Sequence, residues 1–293
     1  MGPRVREVAV IAVLYRGGET AIRCLESLFT AWDAAPTSAH SLKVIAVDNA
    51  SGDGTPERLR EAHPSIELMM QDRNTGFAAA CNRGLREVAP HALIVVLNPD
   101  VAVDAGFFRA LLTATWDDTL AGIGPQIRSA DGSLEQSARA FPTAATGAFG
   151  RTTLLSRVFP HSRPAGRQLL AQPESGIAAV DWVSGACLIT TRRIIDTVGP
   201  FDEGYWMYWE DADWCRRAAN LGLRIEYHPE LLVVHHQGSS SKSRPFATIV
   251  AFHRSAARYY RTHVARSGLS GAMAQIALGA RLLIKLAATV IRR

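Results

Sequence analysis

The stretch LKVIAVDNASGDGT, residues 42–55, indicates the fold class of this chain of 293 residues. Its first half is an apolar run that ends at Asp48, and its second half is rich in Asn, Asp, Ser and Gly, which favour tight turns. Further apolar runs lie at 8–15, 66–70 and 92–98. Helix-like stretches lie between the runs, at 19–34, 55–63 and 76–88. Apolar strands that alternate with helices predict a mostly parallel α/β sheet with helices on both faces.

The polar residues that follow these apolar runs are the first candidates for a binding site, because ligands of such sheets bind beyond the carboxyl ends of the strands. They are Arg16, Asp48, Asn49 and Asp100. Asn49 and Asp53 also suit a turn, although Asp53 is close enough to share a ligand with Asp48. The sequence has neither the glycine spacing of a dinucleotide fingerprint nor a Walker loop, so we do not expect it to bind a dinucleotide or ATP.

The composition is that of a globular protein with a core, since 47% of the residues are hydrophobic and 20% are charged. Four cysteines without CxxC spacing predict free thiols in a reducing compartment. The net charge of +5 is unevenly spread: residues 237–293 hold ten Lys and Arg and no acid, which leaves 22 basic and 27 acidic residues in residues 1–236. A basic tail on an acidic body predicts an anionic partner for the tail.

The end of the tail, residues 272–293, is apolar, and its basic residues have helical spacing. This pattern is typical of a helix that lies on an anionic lipid surface. The alternative is a helix packed on the body or on a partner subunit, such as the second copy in a homodimer. No segment approaches the ~18 uncharged apolar residues of a membrane span, so we expect no transmembrane helix. No recognised motif supports nucleic-acid binding.

One stretch, YWMYWEDADWCRR at residues 205–217, places Glu210, Asp211 and Asp213 within a run of five aromatic rings. The acids open a predicted helix at 210–222 that Gly222 ends. A purely structural interpretation is an acidic helix start beside the core. In it, Asp213 interacts favourably with the helix dipole or pairs with a nearby Arg. The functional interpretation is a carboxylate of raised pKa beside flat apolar surfaces that suit a sugar or lipid-linked ligand.

Six motifs occur in a characteristic order along the chain. They are VDNASGDGT (47–55), RNTGFAAACNRG (73–84), LNPDV (97–101), DWVSGACLITTRR (181–193), GPFDEGYWMYWEDADWCRR (199–217) and VVHHQGSS (233–240). This set, which spans about residues 8–241, resembles the family 2 glycosyltransferases of GT-A fold. Within them it is most similar to bacterial rhamnosyltransferases that build cell-wall linkers and O-antigens.

The resemblance implies a metal-dependent hexosyltransferase that moves a sugar from a nucleotide donor to a hydroxyl group with inversion. Asp211 matches the catalytic base of the family. Asp100 matches the last Asp of the family's DxD motif, whose first position is Asn98 here, and His235 matches a histidine that completes the metal site. The implied metal is Mg²⁺ or Mn²⁺, hard cations that carboxylate and phosphate oxygens bind well.

The other candidates follow from their positions in the motifs. The predicted donor-binding residues are Asp48, Asp53, Arg73, Asn74, Gly76, Asn98 and Asp100. Here Gly76 would allow a helix start to approach the donor. The predicted acceptor-binding residues are Trp182, Ser184, Gly185, Trp209 and Glu210. Residues 138–178, which lack clear periodicity, predict a long loop of the kind that covers active sites.

We therefore predict a GT-A domain at 1–241 with a mostly parallel, Rossmann-like sheet, and a basic helical extension at 242–293 that associates with the inner face of the cell membrane. By resemblance the donor is dTDP-L-rhamnose, and the acceptor is a lipid-linked or polysaccharide glycan. Two alternatives remain open. In the first alternative, the donor is a UDP-hexose or UDP-galactofuranose. In the second, the protein is a glycan-binding or membrane scaffold without catalytic activity.

Overall fold

A computed structural model describes residues 7–143, 175–236, 245–265 and 267–291. The first hundred residues alternate between strands and helices, as the sequence predicts. The elements are β1 (Glu7–Leu14), α1 (Gly18–Asp33), β2 (Ser41–Asp48), α2 (Thr55–Ala62), β3 (Glu67–Met70), α3 (Phe77–Leu85) and β4 (Leu93–Leu97). The four strands are parallel, with β1 between β2 and β4 and with β3 beside β2.

The remaining described elements mix short strands with helices. They are β5 (Val101–Val103), α4 (Phe107–Thr113), β6 (Leu120–Ser129), β7 (Leu134–Glu135), β8 (Ala138–Arg139), β9 (Ala178–Val180), β10 (Trp182–Val183), β11 (Cys187–Thr191), α5 (Arg192–Val198), α6 (Glu210–Asn220), β12 (Arg224–His235), α7 (Pro245–Tyr259), a π-helix (Tyr260–Val264) and α8 (Gly268–Ile291).

A single mixed sheet organises the described strands, in the order β3-β2-β1-β4-β11-β6-β12-β5. β11 runs antiparallel to both β4 and β6, whereas β6 and β12 are parallel. β5 and β9 pair antiparallel with β12, and β7 pairs antiparallel with β6. β8 and β10 form a separate two-stranded sheet. The arrangement confirms the predicted α/β class with a mostly parallel centre.

Strand β1 shows why the sheet is covered on both faces. Its side chains alternate between two buried clusters: Val8, Val10 and Leu14 pack with α1 on one face, and Ala9 and Ile11 pack with α3 on the other. All five are fully buried. A strand that buries both faces reads as a continuous apolar run, which is the pattern that predicted it.

One local expectation needs revision. The predicted loop at 138–178 begins with β8 and ends with β9, and its residues 144–174 lie outside the described parts. The segment after Gly222 forms the single strand β12, which has a register shift between His228 and Leu232. The cysteines are buried free thiols, as predicted, and burial raises the pKa of Cys215 to about 12.

The first helix of the tail packs on the body of the protein. Ser255 Oγ in α7 donates to the carbonyl oxygen of Met207 at 2.8 Å, and Arg258 forms an ion pair with Asp202 at 2.7 Å. The predicted domain boundary at residue 241 lies outside the described residues. The helix α7 itself packs as closely on the body as a core element, since Tyr259 is fully buried.

The helix α8 contacts α7 along one side, where Gln275 donates to the carbonyl oxygen of Ala257 at 2.9 Å. Its other side is exposed and carries Leu269, Met273, Ile276, Leu283, Ile284 and Val290. By length and composition the 23 residues Gly268–Val290 are able to cross a membrane. The expectation of no transmembrane helix considered only uncharged apolar runs, and it did not include this long apolar helix, which has two internal charges, Arg281 and Lys285.

Candidate active site

The carboxyl end of β2 presents Asp48, which is 1% exposed. One carboxylate oxygen, Oδ2, accepts a hydrogen bond from the backbone N–H of Ser51 at 3.1 Å. The other, Oδ1, is buried and accepts no hydrogen bond from the described residues. A buried acceptor without a donor is costly, and a ligand with an N–H or O–H group would satisfy it. The donor-binding role of Asp48 stays a prediction, and this buried acceptor is the feature that a donor would satisfy.

Asn49 holds the loop that follows β3. Its Oδ1 accepts hydrogen bonds from Gln71 Nε2 at 3.0 Å and from the N–H of Thr75 at 2.8 Å. Its Nδ2 donates to Asn74 Oδ1 and to the carbonyl oxygen of Gly76, both at 3.1 Å. The predicted donor residue Asn74 is thereby held by Asn49, which directly follows Asp48 in the chain. The sequence indicated that Asn49 suits a turn. Its side-chain hydrogen bonds to the loop after β3 have no local sequence signal.

The other predicted donor-binding residues on this edge of the sheet lie in different surroundings. Asp53 is exposed and caps a turn, accepting from the N–H of Thr55 at 3.1 Å. Arg73 is exposed at the same edge. Gly76 has a positive φ of 88°, and a Cβ atom there would collide with the backbone of Trp206. The glycine is therefore required by contact with the 205–209 segment, and its predicted contact with a donor stays a prediction.

The predicted metal ligands also meet at the carboxyl ends of the strands. Asp100 lies between β4 and β5, and His235 ends β12, which pairs with β5. His235 Nε2 lies 3.4 Å from Asp100 Oδ1, and His235 Nδ1 lies 3.0 Å from Glu135 Oε2. The hydrogen bond with Asp100 raises the pKa of His235 to about 9, although burial lowers it. Sequence reasoning missed Glu135, which is 100 residues from His235 in the chain.

A divalent cation fits this pair of side chains. One carboxylate oxygen and one imidazole nitrogen converge from different strands at a separation of 3.4 Å, which suits two neighbouring ligands of one Mg²⁺ or Mn²⁺ ion. The described residues contain no group of three or more acids, histidines or cysteines placed to hold a metal. This is expected where substrate phosphates and water supply the remaining ligands. The neighbouring His236 is exposed, and its N–H binds the Asp100 backbone at 2.8 Å.

Asp211 lies in the first turn of α6 and is held by two backbone N–H groups. Gly185 donates to Oδ2 and Ala212 donates to Oδ1, each at 2.8 Å. A Cβ atom at Gly185 would lie 3.4 Å from the Asp211 carboxylate, so the glycine leaves room for it. The predicted acceptor residue Gly185 is thus a direct neighbour of the predicted base.

Glu210 and Asp211 form a pair of carboxyl groups with different environments. Burial and the neighbouring Asp211 charge raise the pKa of Glu210 well above its ordinary value. Burial also raises the pKa of Asp211, but the N–H groups of Gly185 and Ala212 favour its ionised form. Of the two, Glu210 therefore has the more strongly raised pKa, and Asp211 has the backbone donors that stabilise its charge. Two acids whose environments separate them in this way are typical of sites that move protons.

Backbone contacts connect the predicted base, Asp211, to the predicted metal ligands. The N–H of Asn98 donates to the carbonyl oxygen of Ala186 at 2.9 Å, and the adjacent Gly185 binds Asp211. Asn98 is also two residues from Asp100. The antiparallel pairing of β11 with β4 therefore places the predicted base and the predicted metal ligands at one edge of the sheet.

Three predicted acceptor residues are engaged by the protein itself. Trp182 is 9% exposed and donates from Nε1 to the carbonyl oxygen of Ala140. Ser184 Oγ accepts from the N–H of Ala186 at 3.3 Å. The ring of Trp209 packs on the tail, with its centroid 5.1 Å from that of Tyr259. The aromatic run thus serves largely to seat α7, a role that the sequence interpretation missed, and acceptor binding by these residues stays a prediction.

The third acid of the stretch, Asp213, is buried in a polar network. It accepts hydrogen bonds from Arg217 Nε at 2.9 Å, from Tyr205 OH at 3.3 Å and from His263 Nε2 at 2.7 Å. The pairing with Arg217 was one of the predicted alternatives. His263, which comes from the π-helix of the tail, was not foreseen, because no local pattern links residues 50 positions apart.

The α/β sheet, with carboxylates at its strand ends and Asp211 on a facing helix, is the arrangement expected of a glycosyltransferase of GT-A fold. The chain belongs to glycosyl transferase family 2, whose family model matches residues 9–168. The predicted family and fold are thus confirmed.

Similarity to curated proteins extends over most of the chain. It is 34% identical over 259 residues to an N-acetylglucosaminyl-diphospho-decaprenol L-rhamnosyltransferase of Mycobacterium tuberculosis, covering 84% of this chain and 81% of that protein. It is 29% identical to a pre-mycofactocin glycosyltransferase of the same species, covering 80% of this chain and 43% of that protein.

Solved structures show the same fold at low sequence identity. A mannosyltransferase from Pyrobaculum calidifontis, in complex with GDP-Man and Mn²⁺, aligns with a TM-score of 0.52 and 17% identity over 96% of this chain and 81% of that chain. GalNAc-T7 with UDP, GalNAc and Mn²⁺ aligns with a TM-score of 0.57 and 13% identity over 81% of this chain and 45% of that chain.

Proposed function

We propose that this glycosyltransferase is an inverting enzyme in which Asp211 is the base that activates the acceptor hydroxyl. The observation that supports this most directly is the Asp211 carboxylate, fixed by the N–H groups of Gly185 and Ala212 beside the buried Glu210. A base must be held within reach of the proton that it removes. Two backbone hydrogen bonds, with a neutral Glu210 next to it, keep this carboxylate charged and oriented.

The reaction follows from these positions. Asp211 accepts the proton of the acceptor hydroxyl while its oxygen forms a bond to the anomeric carbon of the donor. The bond from that carbon to the diphosphate breaks on the opposite face, so the configuration inverts. Asp100 and His235 would hold a divalent cation, which stabilises negative charge on the departing diphosphate when it is bound. Asp48 and Asn74 bind the nucleoside end of the donor.

The donor that we propose is dTDP-L-rhamnose, and the acceptor is a lipid-linked glycan. Support comes from the curated relative in Mycobacterium tuberculosis, whose name describes transfer of L-rhamnose and a decaprenol-linked diphospho sugar. The identity of 34% over most of both chains makes a shared substrate class reasonable, but residues at the pocket set the sugar choice.

We propose further that the enzyme works at the inner face of the cell membrane, with α8 as the contact. The helix exposes a continuous apolar side and, among its described residues, carries basic charges but no acid. Both features favour an anionic lipid surface. Co-sedimentation with anionic vesicles tests this, and Ile276→Asp with Leu283→Asp should release the protein if α8 is the contact.

A transfer assay tests the function. Wild-type protein is supplied with Mn²⁺, a decaprenyl or shorter prenyl diphospho-N-acetylglucosamine acceptor, and dTDP-L-rhamnose, a UDP-hexose or UDP-galactofuranose in turn. We expect product with dTDP-L-rhamnose, and Asp211→Asn should lower kcat by roughly 10²–10⁴-fold, the usual contribution of a general base. Glu210→Gln replaces a neutral carboxyl with a neutral amide and should cost less.

Each result separates the alternatives. Product with a UDP sugar and none with dTDP-L-rhamnose would keep the mechanism and change the donor. Undiminished turnover by Asp211→Asn would remove that residue as the base. Absence of nucleotide release from every donor would favour the glycan-binding or scaffold alternative.

A further inference from the structure

Glu135 lies behind His235, on the side of the ring away from Asp100. Glu135 is in β7, which pairs with β6 through Ile127, and His235 in β12 pairs with β6 at Ser129. The β6 strand therefore brings the two residues together from opposite sides. Glu135 Oε2 lies 3.0 Å from His235 Nδ1, and Glu135 Oε1 accepts a hydrogen bond from Ser129 Oγ at 2.7 Å.

This geometry restricts the histidine. The carboxylate of Glu135 only accepts hydrogen bonds, so the contact with Nδ1 requires a proton on that nitrogen. When the imidazole is neutral, its lone pair then lies on Nε2, the nitrogen that faces Asp100 at 3.4 Å. A histidine that ligates a metal commonly donates its other N–H to a carboxylate in this way.

We propose that Glu135 is a positioning residue that sets the tautomer and the ring orientation of His235 for binding of a divalent cation. The inference rests on the metal site of the proposed function, and it adds a residue that is not itself a ligand. Ser129 in turn fixes the carboxylate of Glu135. The side chains of His235, Asp100 and Glu135 are 20%, 19% and 25% exposed, so the group is accessible from solvent yet partly enclosed.

The competing explanation is a charge triad in which a protonated His235 only bridges two acids and binds no metal. Both explanations predict that loss of Glu135 weakens the contact between β7 and β12. They differ in metal affinity, since a bridging histidine has no lone pair to offer.

The test measures the affinity of the full chain for Mn²⁺ alone, from the electron paramagnetic resonance signal of the free ion. Glu135→Ala should weaken Mn²⁺ binding about 10–100-fold, the usual effect of losing such a partner. Glu135→Gln, whose amide oxygen still accepts the Nδ1 proton, should recover part of the loss. The matched control is Asp131→Ala in the same hairpin, whose carboxylate contacts Ser133 and is remote from His235. It should bind Mn²⁺ as the wild type does.

The outcomes separate the inference from the proposed function. Equal Mn²⁺ affinity of Glu135→Ala and wild type, with both proteins folded by circular dichroism, overturns the role of Glu135 and leaves the metal site intact. Absence of Mn²⁺ binding by the wild type, even with added dTDP, overturns the metal site itself. Should Glu135→Ala fail to fold, Ser129→Ala provides the second variant, and it should weaken binding by a smaller factor in the same direction.

Discussion

Among the described residues, two pairs of an aspartate and a histidine differ in their surroundings. Asp100 and His235 lie at strand ends, with side chains 19% and 20% exposed and 3.4 Å between the nearest atoms. Asp213 and His263 lie between α6 and the π-helix, with side chains 2% and 8% exposed and a contact of 2.7 Å. The chemistry of each pair is the same, but one is open to a ligand and the other is enclosed.

The hydrogen-bond partners explain the difference. Both carboxylate oxygens of Asp213 are occupied, one by His263 and Tyr205 and the other by Arg217. A buried charge is tolerated only when it is paired and hydrogen-bonded in this manner. The strand-end pair instead keeps an accessible side, where phosphate and metal can enter. An acid–histidine pair thus indicates a ligand site when solvent reaches it, and a contact that stabilises the fold when solvent does not reach it.

The largest expected effect comes from breaking the open pair. Asp100→Asn should reduce Mn²⁺-dependent transfer by roughly 10³-fold, equivalent to about 4 kcal/mol, because the cation that stabilises the leaving diphosphate loses its carboxylate ligand. The free energy of unfolding should hardly change. Steady-state kinetics and urea unfolding on the same samples measure both.

A matched control is Asp104→Asn, which alters an exposed aspartate near the same strand whose carboxylate accepts from the N–H of Gly106. Its transfer rate should equal that of the wild type. Equal rates for Asp100→Asn and Asp104→Asn would show that the open pair binds no catalytic metal. That result would contradict the interpretation of the solvent-accessible pair as a ligand site.

The enclosed pair should respond in the opposite manner. Asp213→Asn leaves Arg217 and His263 without their buried charged partner. Removal of one partner of such a pair lowers the free energy of unfolding by about 3 kcal/mol. Urea unfolding should show this loss, while the affinity for Mn²⁺ should stay unchanged. A loss of Mn²⁺ affinity with unchanged stability would mean that the roles of the two pairs have been exchanged.

The same variant predicts a pH dependence of stability. Burial raises the pKa of Asp213, but hydrogen bonds from His263 and Arg217 outweigh burial and leave the pKa below its ordinary value. The ionised group therefore stabilises the fold above the pKa of an unfolded aspartate, about 3.9, and the contribution disappears as the pH falls through the lower folded pKa. Tyr205 and the buried Glu210 also lie nearby.

The gap in the free energy of unfolding between wild type and Asp213→Asn should accordingly stay constant above the ordinary aspartate pKa of about 3.9 and narrow as the pH is lowered below it. Urea unfolding at a series of pH values measures the gap. A gap that stays constant below this pKa as well would show that the charge of Asp213 contributes nothing to the fold.

Of the open pair, Asp100 was predicted from its position after an apolar run and His235 only from the family resemblance, whereas the contact of Asp213 with His263 was missed. Residues at strand ends are visible in a sequence because apolar runs stop there, and Asp48 and Asp100 both follow such runs. The parallel sheet then brings them to one edge. The partners Glu135 and His263 are set by pairing between distant segments, and neither carries a local pattern.

The aromatic run shows the limit of reasoning from residue type. Tyr205 and Trp209 suggested surfaces for a sugar, yet they pack against Arg258 and Tyr259 of the tail. A large apolar side chain suits a ligand and a neighbouring helix equally well, and only the tertiary structure decides between them. The helices of the first half were predictable because each had its own apolar periodicity, as α1 shows.

The smallest expected effect tests whether burial, rather than charge, separates the two pairs. Asp202 and Arg258 also join the body to the tail, but their side chains are 31% and 35% exposed. Water screens such a pair, so Asp202→Asn should lower the free energy of unfolding by at most about 1 kcal/mol, despite the contact of 2.7 Å. Urea unfolding beside Asp213→Asn gives a direct comparison. If Asp202→Asn costs as much as Asp213→Asn, the attachment of the tail depends on charge pairing wherever it occurs, and enclosure of Asp213 by Tyr205, Arg217 and His263 adds nothing to it.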